Sequence, residues 1–198
     1  IRGAGIGMIF QEPMTALNPV LSIGIQMTEA LVINGFCNQT EANERAVDML
    51  NRVSITEPKK RMKQYPHEFS GGMRQRMMIA MVMLIEPSVL IADEPTTALD
   101  VTIQARILDL LSSLVSDSNI GLVLITHDMG VVAETSDRVL VMYGGKEVEH
   151  ANVKQLFKKP TQPYTKSLLA AVPRLDVKTF ENESFSKTST IPLVKINQ

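Results

Sequence analysis

Polar residues that could act on a phosphate group follow three apolar segments of the chain. Gln11 follows the first segment, Asp93 and Glu94 follow the second, and His127 stands two residues after the third. An acid at the end of a buried strand can hold Mg²⁺, usually through water, and this is the role we expect for Asp93. The next acid, Glu94, can accept a proton from an attacking water.

Each of these residues has an ordinary explanation when it is considered alone. An Asp-Glu-Pro sequence after a strand is more often a turn or a helix cap. A single histidine at a strand end is more often a surface residue, and a single glutamine is nearly always incidental. However, ligand sites of open parallel sheets lie beyond the carboxyl ends of the strands. Because three such endings occur in order on one expected sheet, we favour a shared site.

Ser70, Gly71 and Gly72 form a second candidate site at the start of an expected helix. Two glycines let an anion approach the backbone, and the free N–H groups and the helix dipole favour phosphate. The Ser70 hydroxyl adds a further donor. Considered alone, this sequence would be explained as a flexible turn, with Arg74 and Arg76 on a solvated face.

The elements that must position these residues alternate between strand and helix, which predicts an α/β domain with a mostly parallel sheet. Apolar runs predict strands over residues 6–10, 89–92, 122–125 and 139–142, and Gly144-Gly145 predicts a hairpin into 146–149. Capping and breaking residues predict helices that begin near Ser22, Thr40 and Thr102, one between Pro58 and Pro66, and others over 73–85, 153–158 and 165–172.

Composition limits the class of protein. The chain has 198 residues and a formal net charge of −1, so no broad basic field indicates nucleic acid as a partner. The single cysteine, Cys37, excludes an internal disulfide and any multi-cysteine metal site. The longest apolar run, Met77 to Ile85, is about half as long as a membrane-spanning helix requires. We therefore expect a soluble domain with one buried core.

Taken together, these motifs resemble the ABC ATPase family. Gln11 matches the Q-loop and His127 the switch histidine, while the other motifs are the signature at Phe69–Met73, the Walker B strand at Val89–Glu94 and the D-loop at Ala98–Asp100. The resemblance implies a P-loop NTPase fold of the RecA-like α/β type, with a mostly parallel sheet and a helical signature subdomain. It also implies ATP and Mg²⁺ as cofactors.

The resemblance extends to one branch of importers, those for oligopeptides, dipeptides, nickel and glutathione. The similar segments are Phe10–Pro19, Tyr65–Arg76, Ala92–Thr102 and Pro163–Leu169. Two others, Thr126–Glu134 and Ala170–Leu175, look closest to the first half of glutathione-importing members, which carry two such domains in tandem. The branch implies uptake of peptides such as oligopeptides, dipeptides or glutathione.

One motif of the family is absent from the chain. No Gly-x4-Gly-Lys-Ser/Thr sequence occurs, and Gly144-Gly145-Lys146-Glu147 has the wrong spacing and reads as a hairpin turn. The family carries this phosphate-binding loop, Walker A, upstream of the residue that matches Gln11. We therefore expect an N-terminally truncated fragment that has no ATPase activity on its own.

The resemblance divides the chain into three parts. Residues 1–150 are expected to be a partial nucleotide-binding domain, whose helical subdomain covers about residues 22–86. Residues 151–176 are expected to be the C-terminal element of the oligopeptide-importer type. Residues 177–198 are rich in Ser, Thr, Asn and Lys, and we expect a linker or tail there.

The family mechanism implies a role for each candidate residue. Asp93 and Gln11 would hold Mg²⁺, Glu94 would polarise the attacking water, and His127 would steady the γ-phosphate. Two domains would form a head-to-tail dimer around two ATP molecules, with each signature motif contacting the ATP of the opposite domain. The residues implied at that interface are Ser70, Gly71, Gly72 and Asp100, the last of which would link the two sites.

The partners implied are a second nucleotide-binding domain, two integral membrane permease subunits and a periplasmic or extracellular substrate-binding protein. The chain would lie peripherally on the cytoplasmic face of the bacterial inner (plasma) membrane. Two alternatives remain open. One is a truncated, non-catalytic remnant that supplies only a signature motif. The other is a soluble ABC ATPase acting on nucleic acid, which the short separation of Gln11 from Ser70 and the near-neutral charge disfavour.

Overall fold

Three parallel strands form the sheet that carries the candidate residues. The computed structural model describes residues 5–11, 16–97, 99–171 and the backbone of 193–195. It places β1 (Ile6–Ile9), β2 (Val89–Asp93) and β3 (Gly121–Ile125) side by side in that order. Ile9 pairs with Ala92 and Asp93 pairs with Ile125, so the carboxyl ends of the strands are level. This arrangement confirms the parallel sheet and the shared edge expected from the strand endings.

Helices fill the chain between β1 and β2. They are α1 (Ile23–Ile33), α2 (Gln39–Arg52), α3 (Pro58–Arg61), a 3₁₀ turn (Pro66–Glu68) and α4 (Gly71–Met83). The apolar faces of α1, α2 and α4 share one buried core with the three-stranded sheet. Met77 is fully buried in that core, as expected for a methionine that packs rather than binds a ligand.

Polar side chains cap these helices, although not always at the expected residue. Ser22 Oγ accepts a hydrogen bond from Ile25 N at 3.5 Å, as predicted. The cap of α2 is Asn38 rather than Thr40, and its Oδ1 accepts from Glu41 N at 3.0 Å. Asn38 has extended backbone angles whereas Thr40 is already helical, so only Asn38 can turn its side chain back onto the first free N–H groups.

A long helix, α5 (Val101–Ser118), connects β2 to β3. Asp100 Oδ1 accepts a hydrogen bond from Ile103 N at 2.9 Å, so α5 begins one residue before Thr102. Ile107 and Leu111 are buried on the inner face of α5, as their helical spacing predicts. The cap therefore fixes the start of α5 beside the end of β2.

A second sheet follows α6 (Met129–Thr135). Strands β4 (Arg138–Tyr143) and β5 (Lys146–Asn152) are antiparallel, and the turn between them has positive φ at Gly144 and Gly145. The expected hairpin is thus confirmed. On the other edge of β4 the backbone of β6 (Leu193–Lys195) pairs in parallel, and β6 also lies against β3. Within the range 177–198, expected as linker or tail, these three residues form a strand; the others lie outside the described part.

Two short helices, α7 (Val153–Lys158) and α8 (Pro163–Ala170), pack on the second sheet. They share a small core with β4 that includes Val139, Val141 and Leu156. α8 begins two residues earlier than predicted, because Pro163 suits the first helical position, where no N–H bond is lost. Residues 172–176 of the expected C-terminal element lie outside the described part.

Candidate functional site

Glu94 lies directly after β2, in a backbone conformation that is unusual for its residue type. Its φ is 45°, in the left-handed region, which costs a residue other than glycine about 1 kcal/mol or more. The Glu94 N–H donates to the Ile125 carbonyl of β3 at 2.8 Å, and this bond holds the turn in place. The sheet thus directs the Glu94 side chain at the point where the strands end.

The Glu94 carboxylate contacts side chains from both neighbouring strand ends. Gln11 Nε2 donates to Oε2 at 3.1 Å, and His127 Nδ1 lies 3.2 Å from Oε1. Thr97 Oγ1 donates to Oε2 at 2.8 Å from the loop that follows. The structure therefore brings together Gln11, Glu94 and His127, the three endings that the sequence singles out.

This arrangement suits a carboxylate that accepts a proton. The Glu94 side chain is 22% exposed, so a water molecule can reach it, and the two donors on Oε2 orient the carboxylate. The His127 side chain is 62% exposed and lies on the open side of the cluster. A water bound beside Glu94 could lose a proton to the carboxylate, with the imidazole next to it as a second polar group.

Asp93 is the last residue of β2 and directly precedes Glu94 in the chain. Its carboxylate and the amide oxygen of Gln11 are hard oxygen donors, the type that Mg²⁺ prefers. In the described ranges, no three His, Cys, Asp or Glu side chains converge on a potential metal site. Mg²⁺ usually takes one or two carboxylates together with substrate phosphates, so two protein oxygens fit its chemistry.

The signature residues stand apart from the Glu94 cluster. Ser70 caps α4, its Oγ accepting from Met73 N at 3.4 Å, and Gly71 and Gly72 form the first turn. A Cβ on Gly72 would lie 3.0 Å from Ile103 Cγ2 of α5, so a larger residue there would require Ile103 to shift by a few tenths of an ångström. Among the described residues no hydrogen bond joins Ser70, Gly71 or Gly72 to Glu94. Asp100, exposed at the start of α5, is likewise outside the cluster.

The chain matches known protein families over most of this architecture. A family model described as ABC transporter matches residues 1–97, and one described as oligopeptide/dipeptide transporter, C-terminal region, matches residues 148–193. The chain belongs to the ABC transporter family.

Solved structures of the family share the fold. CbiO1 from Clostridium perfringens, described as part of the ABC transporter complex cbiONQ, aligns with a TM-score of 0.69 at 30% identity, covering 80% of this chain and 61% of that one. A dimeric ATP-binding cassette in a post-hydrolysis state, bound to ADP and Pi, aligns with a TM-score of 0.65 at 27% identity, covering 77% and 64%. The fold is therefore that of an ABC ATPase domain.

Curated relatives within the family are import proteins. A putative peptide import ATP-binding protein of Brucella melitensis is 54% identical over 97% of this chain and 57% of its own length. The dipeptide transport ATP-binding protein DppD of Bacillus subtilis is 55% identical over 89% and 53%. The glutathione import ATP-binding protein GsiA of Salmonella choleraesuis is 56% identical over 88% and 28%. The chain thus spans about half the length of the first two relatives.

No helix in the described ranges combines the length and the hydropathy that crossing a membrane requires.

Two residues that support the Glu94 cluster were missed by the sequence reasoning. Thr97 donates directly to Glu94, and the buried Gln75 of α4 donates from Nε2 to the Pro95 carbonyl at 2.6 Å. Thr97 gave no signal beyond its nearness in sequence to Glu94. Gln75 did give one, since it is a polar residue at helical spacing between Gly72 and Ile79, both of which are buried.

A second glutamate, Glu149 of β5, accepts hydrogen bonds from the residues just before α8. Its Oε1 accepts from Thr161 N and Thr161 Oγ1, both at 2.7 Å, and its Oε2 accepts from Gln162 N at 3.0 Å. Gln162 is the residue before α8, so Glu149 of β5 serves as a cap supplied from another element.

The surroundings of Glu149 favour its charged form. Burial of the residue, which is 8% exposed, raises the pKa of the carboxyl. The buried Thr165 hydroxyl, which has no hydrogen bond of standard geometry, and the bonds from Thr161 and Gln162 lower it by more, so the pKa is about 2. Glu149 therefore stays charged at neutral pH and keeps α8 attached to β5.

Proposed function

We propose that this chain is the catalytic part of an ATP-hydrolysing subunit that drives the import of peptides. The observation that carries the proposal is the contact of Glu94 with Gln11 and His127 at the level ends of three parallel strands. This is the place where open parallel sheets bind ligands. The family match supports ATP as that ligand.

In this proposal Glu94 accepts the proton of the water that attacks the γ-phosphate. Gln11 and Thr97 orient its carboxylate by donating to Oε2, and His127 lies beside Oε1, where it can stabilise charge on the phosphate. The left-handed backbone of Glu94 and its N–H bond to Ile125 hold this direction before substrate binds.

Asp93 and Gln11 are the residues that would hold Mg²⁺, which when bound neutralises phosphate charge during hydrolysis. Ser70, Gly71 and Gly72 would contact the ATP of a second nucleotide-binding domain in a head-to-tail dimer. The exposed start of α4, with its free backbone N–H groups, supports this role. Asp100, exposed beside it, would connect the two sites across the dimer.

The relatives and the C-terminal match support peptides as the substrate class. The Brucella and Bacillus proteins are named for peptide and dipeptide transport, and the region that includes Glu149 matches the oligopeptide/dipeptide model. We place the subunit on the cytoplasmic face of a bacterial inner membrane. Its partners would be a second such domain, two membrane permease subunits and a substrate-binding protein outside the membrane.

The test uses an ATP-competent protein, meaning one that contains these 198 residues together with a Gly-x4-Gly-Lys-Ser/Thr loop, with its membrane partners. Glu94→Gln keeps the size of the side chain and removes the base, so the turnover number kcat for ATP should fall about 10²–10⁴-fold while ATP still binds. Uptake of labelled dipeptide, oligopeptide and glutathione should fall with it. Near-normal hydrolysis by this variant would show that Glu94 is not the base.

ATP hydrolysis also identifies which candidate substrate the protein imports. ATP hydrolysis by the unaltered protein should rise when its substrate is presented, and comparison of dipeptide, oligopeptide and glutathione identifies which one has this effect. No stimulation by any of them would contradict peptide import, even if ATP is hydrolysed.

A further inference from the structure

Gln75 makes a polar link between α4 and the loop after β2. Gln75 is only 1% exposed, and its Nε2 donates to the Pro95 carbonyl at 2.6 Å. Within the described part, Gln75 Oε1 accepts no hydrogen bond. A buried amide with one atom left without a partner is poorly explained as packing, since an apolar side chain would fill the space without that cost.

The bond from Gln75 acts on the backbone next to Glu94. On one side the Glu94 N–H is held by Ile125, and on the other side the Pro95 carbonyl is held by Gln75. The proline ring fixes φ of Pro95, so only its ψ can take up a displacement of the Pro95 carbonyl within that residue. The rest of the displacement passes to the Glu94 backbone, which occupies the narrow left-handed region at φ 45°.

We propose that Gln75 is a positioning residue that sets the direction of the Glu94 carboxylate according to the position of α4. The inference rests on the proposed function, in which Ser70 contacts the nucleotide of a second domain and Glu94 accepts the proton. Ser70 and Gln75 belong to one rigid helix, about 7.5 Å apart along its axis. A shift of α4 on nucleotide binding at Ser70 therefore reaches Glu94 of the same domain through Gln75.

The experiment compares Gln75→Met with Met78→Leu in the ATP-competent protein with its membrane partners. Gln75→Met keeps the length of the side chain and removes the donor, whereas Met78→Leu alters a buried apolar residue of the same helix. Gln75→Met should lower kcat for ATP by about 10- to 100-fold with KM and the ATP dissociation constant unchanged within about twofold. Met78→Leu should leave all three unchanged within about twofold.

A second comparison separates positioning from general damage. In a Glu94→Gln background the base is already absent, so adding Gln75→Met should change the remaining hydrolysis by less than about twofold. A defect that does not act through Glu94 would lower hydrolysis by the same factor in both backgrounds. If Gln75→Met does not fold, Gln75→Asn, whose amide is too short to reach Pro95, takes its place.

Two outcomes would overturn the inference: an unchanged kcat in Gln75→Met, whatever its melting temperature, or an equal loss of kcat in both backgrounds. If Glu94→Gln loses activity as expected while Gln75→Met is normal, only the role of Gln75 is contradicted. If the unaltered protein hydrolyses no ATP, or if Glu94→Gln is fully active, the proposed function is contradicted, and so is the role of Gln75 that rests on it.

Discussion

Glu94 and Glu149 are both carboxylates with several polar partners, but the partners are of different kinds. Glu94 is held through side chains, those of Gln11, Thr97 and His127. Glu149 is held mainly through backbone N–H groups, those of Thr161 and Gln162. Side chains can rotate away when a ligand arrives, whereas backbone groups move only if the local fold opens. The first arrangement suits a group that must exchange partners, and the second suits one that must not.

The largest expected difference between the two glutamates is in turnover. Glu94→Gln should reduce kcat for ATP about 10²–10⁴-fold in the ATP-competent protein, and Glu149→Gln should change it by less than about twofold. The reason is that the partners of Glu149 all belong to the junction between β5 and α8. Steady-state phosphate release measures both values. Equal losses in the two variants would abolish the distinction.

The second-largest expected difference between Glu94 and Glu149 is in how the stability of the fold depends on pH. The pKa of Glu149 is about 2 when folded, against 4.5 as its ordinary value, so the folded state favours the charged carboxylate. This stabilisation is complete above about pH 4.5 and is lost as the pH falls from there toward 2. At about 1.36 kcal/mol for each pKa unit, it amounts to at most about 3 kcal/mol in the free energy of unfolding.

Denaturant unfolding at a series of pH values from neutral to 2 tests this prediction. Other carboxylates also titrate in that window, so the informative quantity is the difference between the unaltered protein and Glu149→Gln. The difference should shrink as the pH falls from 4.5 toward 2. A difference that stays constant with pH would show that the charge of Glu149 does not stabilise the fold.

At neutral pH, Glu149→Gln should lower the free energy of unfolding by about 1.5–3 kcal/mol. It replaces hydrogen bonds to a charged acceptor with weaker ones and places an NH₂ group against backbone donors. Glu147→Gln is the matched control, because Glu147 lies on the same strand and is exposed. Thermal unfolding of both variants gives the comparison, and equal melting temperatures would contradict the role of Glu149.

The smallest effects should come from the threonines that serve each glutamate. Thr97→Val removes one donor to Glu94 and should lower kcat about 2- to 10-fold with little change in melting temperature. Thr161→Val removes a hydroxyl donor to Glu149 but keeps the backbone N–H, so it should lower the free energy of unfolding by about 1 kcal/mol and leave kcat unchanged. Both kcat and the free energy of unfolding are measured in both variants. A loss of kcat in Thr161→Val, or a loss of stability in Thr97→Val, would contradict the prediction.

The contacts that sequence could predict are those that parallel-sheet geometry imposes. Gln11, Glu94 and His127 follow strands whose ends must be level, so their meeting needs no knowledge of the rest of the fold. The hydrogen bonds of Glu149 could not be predicted in this way. Glu149 bonds to Thr161 and Gln162 across a short segment, and nothing in their residue types distinguishes this pairing from solvation.

The features that the sequence did not predict correctly have physical causes of different kinds. Asn38 and Thr40 are both capable of capping a helix, and only the backbone angles at Asn38 decide between them. The strand β6 pairs Leu193 with Leu140, which lies far away in the chain, so no local sequence pattern predicts this pairing. Gln75 stands between Arg74 and Arg76, and this polar run conceals the burial that its helical spacing from Gly72 and Ile79 indicates.

The left-handed backbone of Glu94 has a consequence for protein engineering. Glycine and asparagine occupy φ near 45° with less strain than glutamate does, so either residue at position 94 should relieve part of the cost that the present turn carries. A library selected only for heat resistance would therefore be drawn toward variants that have lost the base. Any directed evolution of this domain needs a screen for ATP turnover beside the one for thermal tolerance, because at this position the two selections pull in opposite directions.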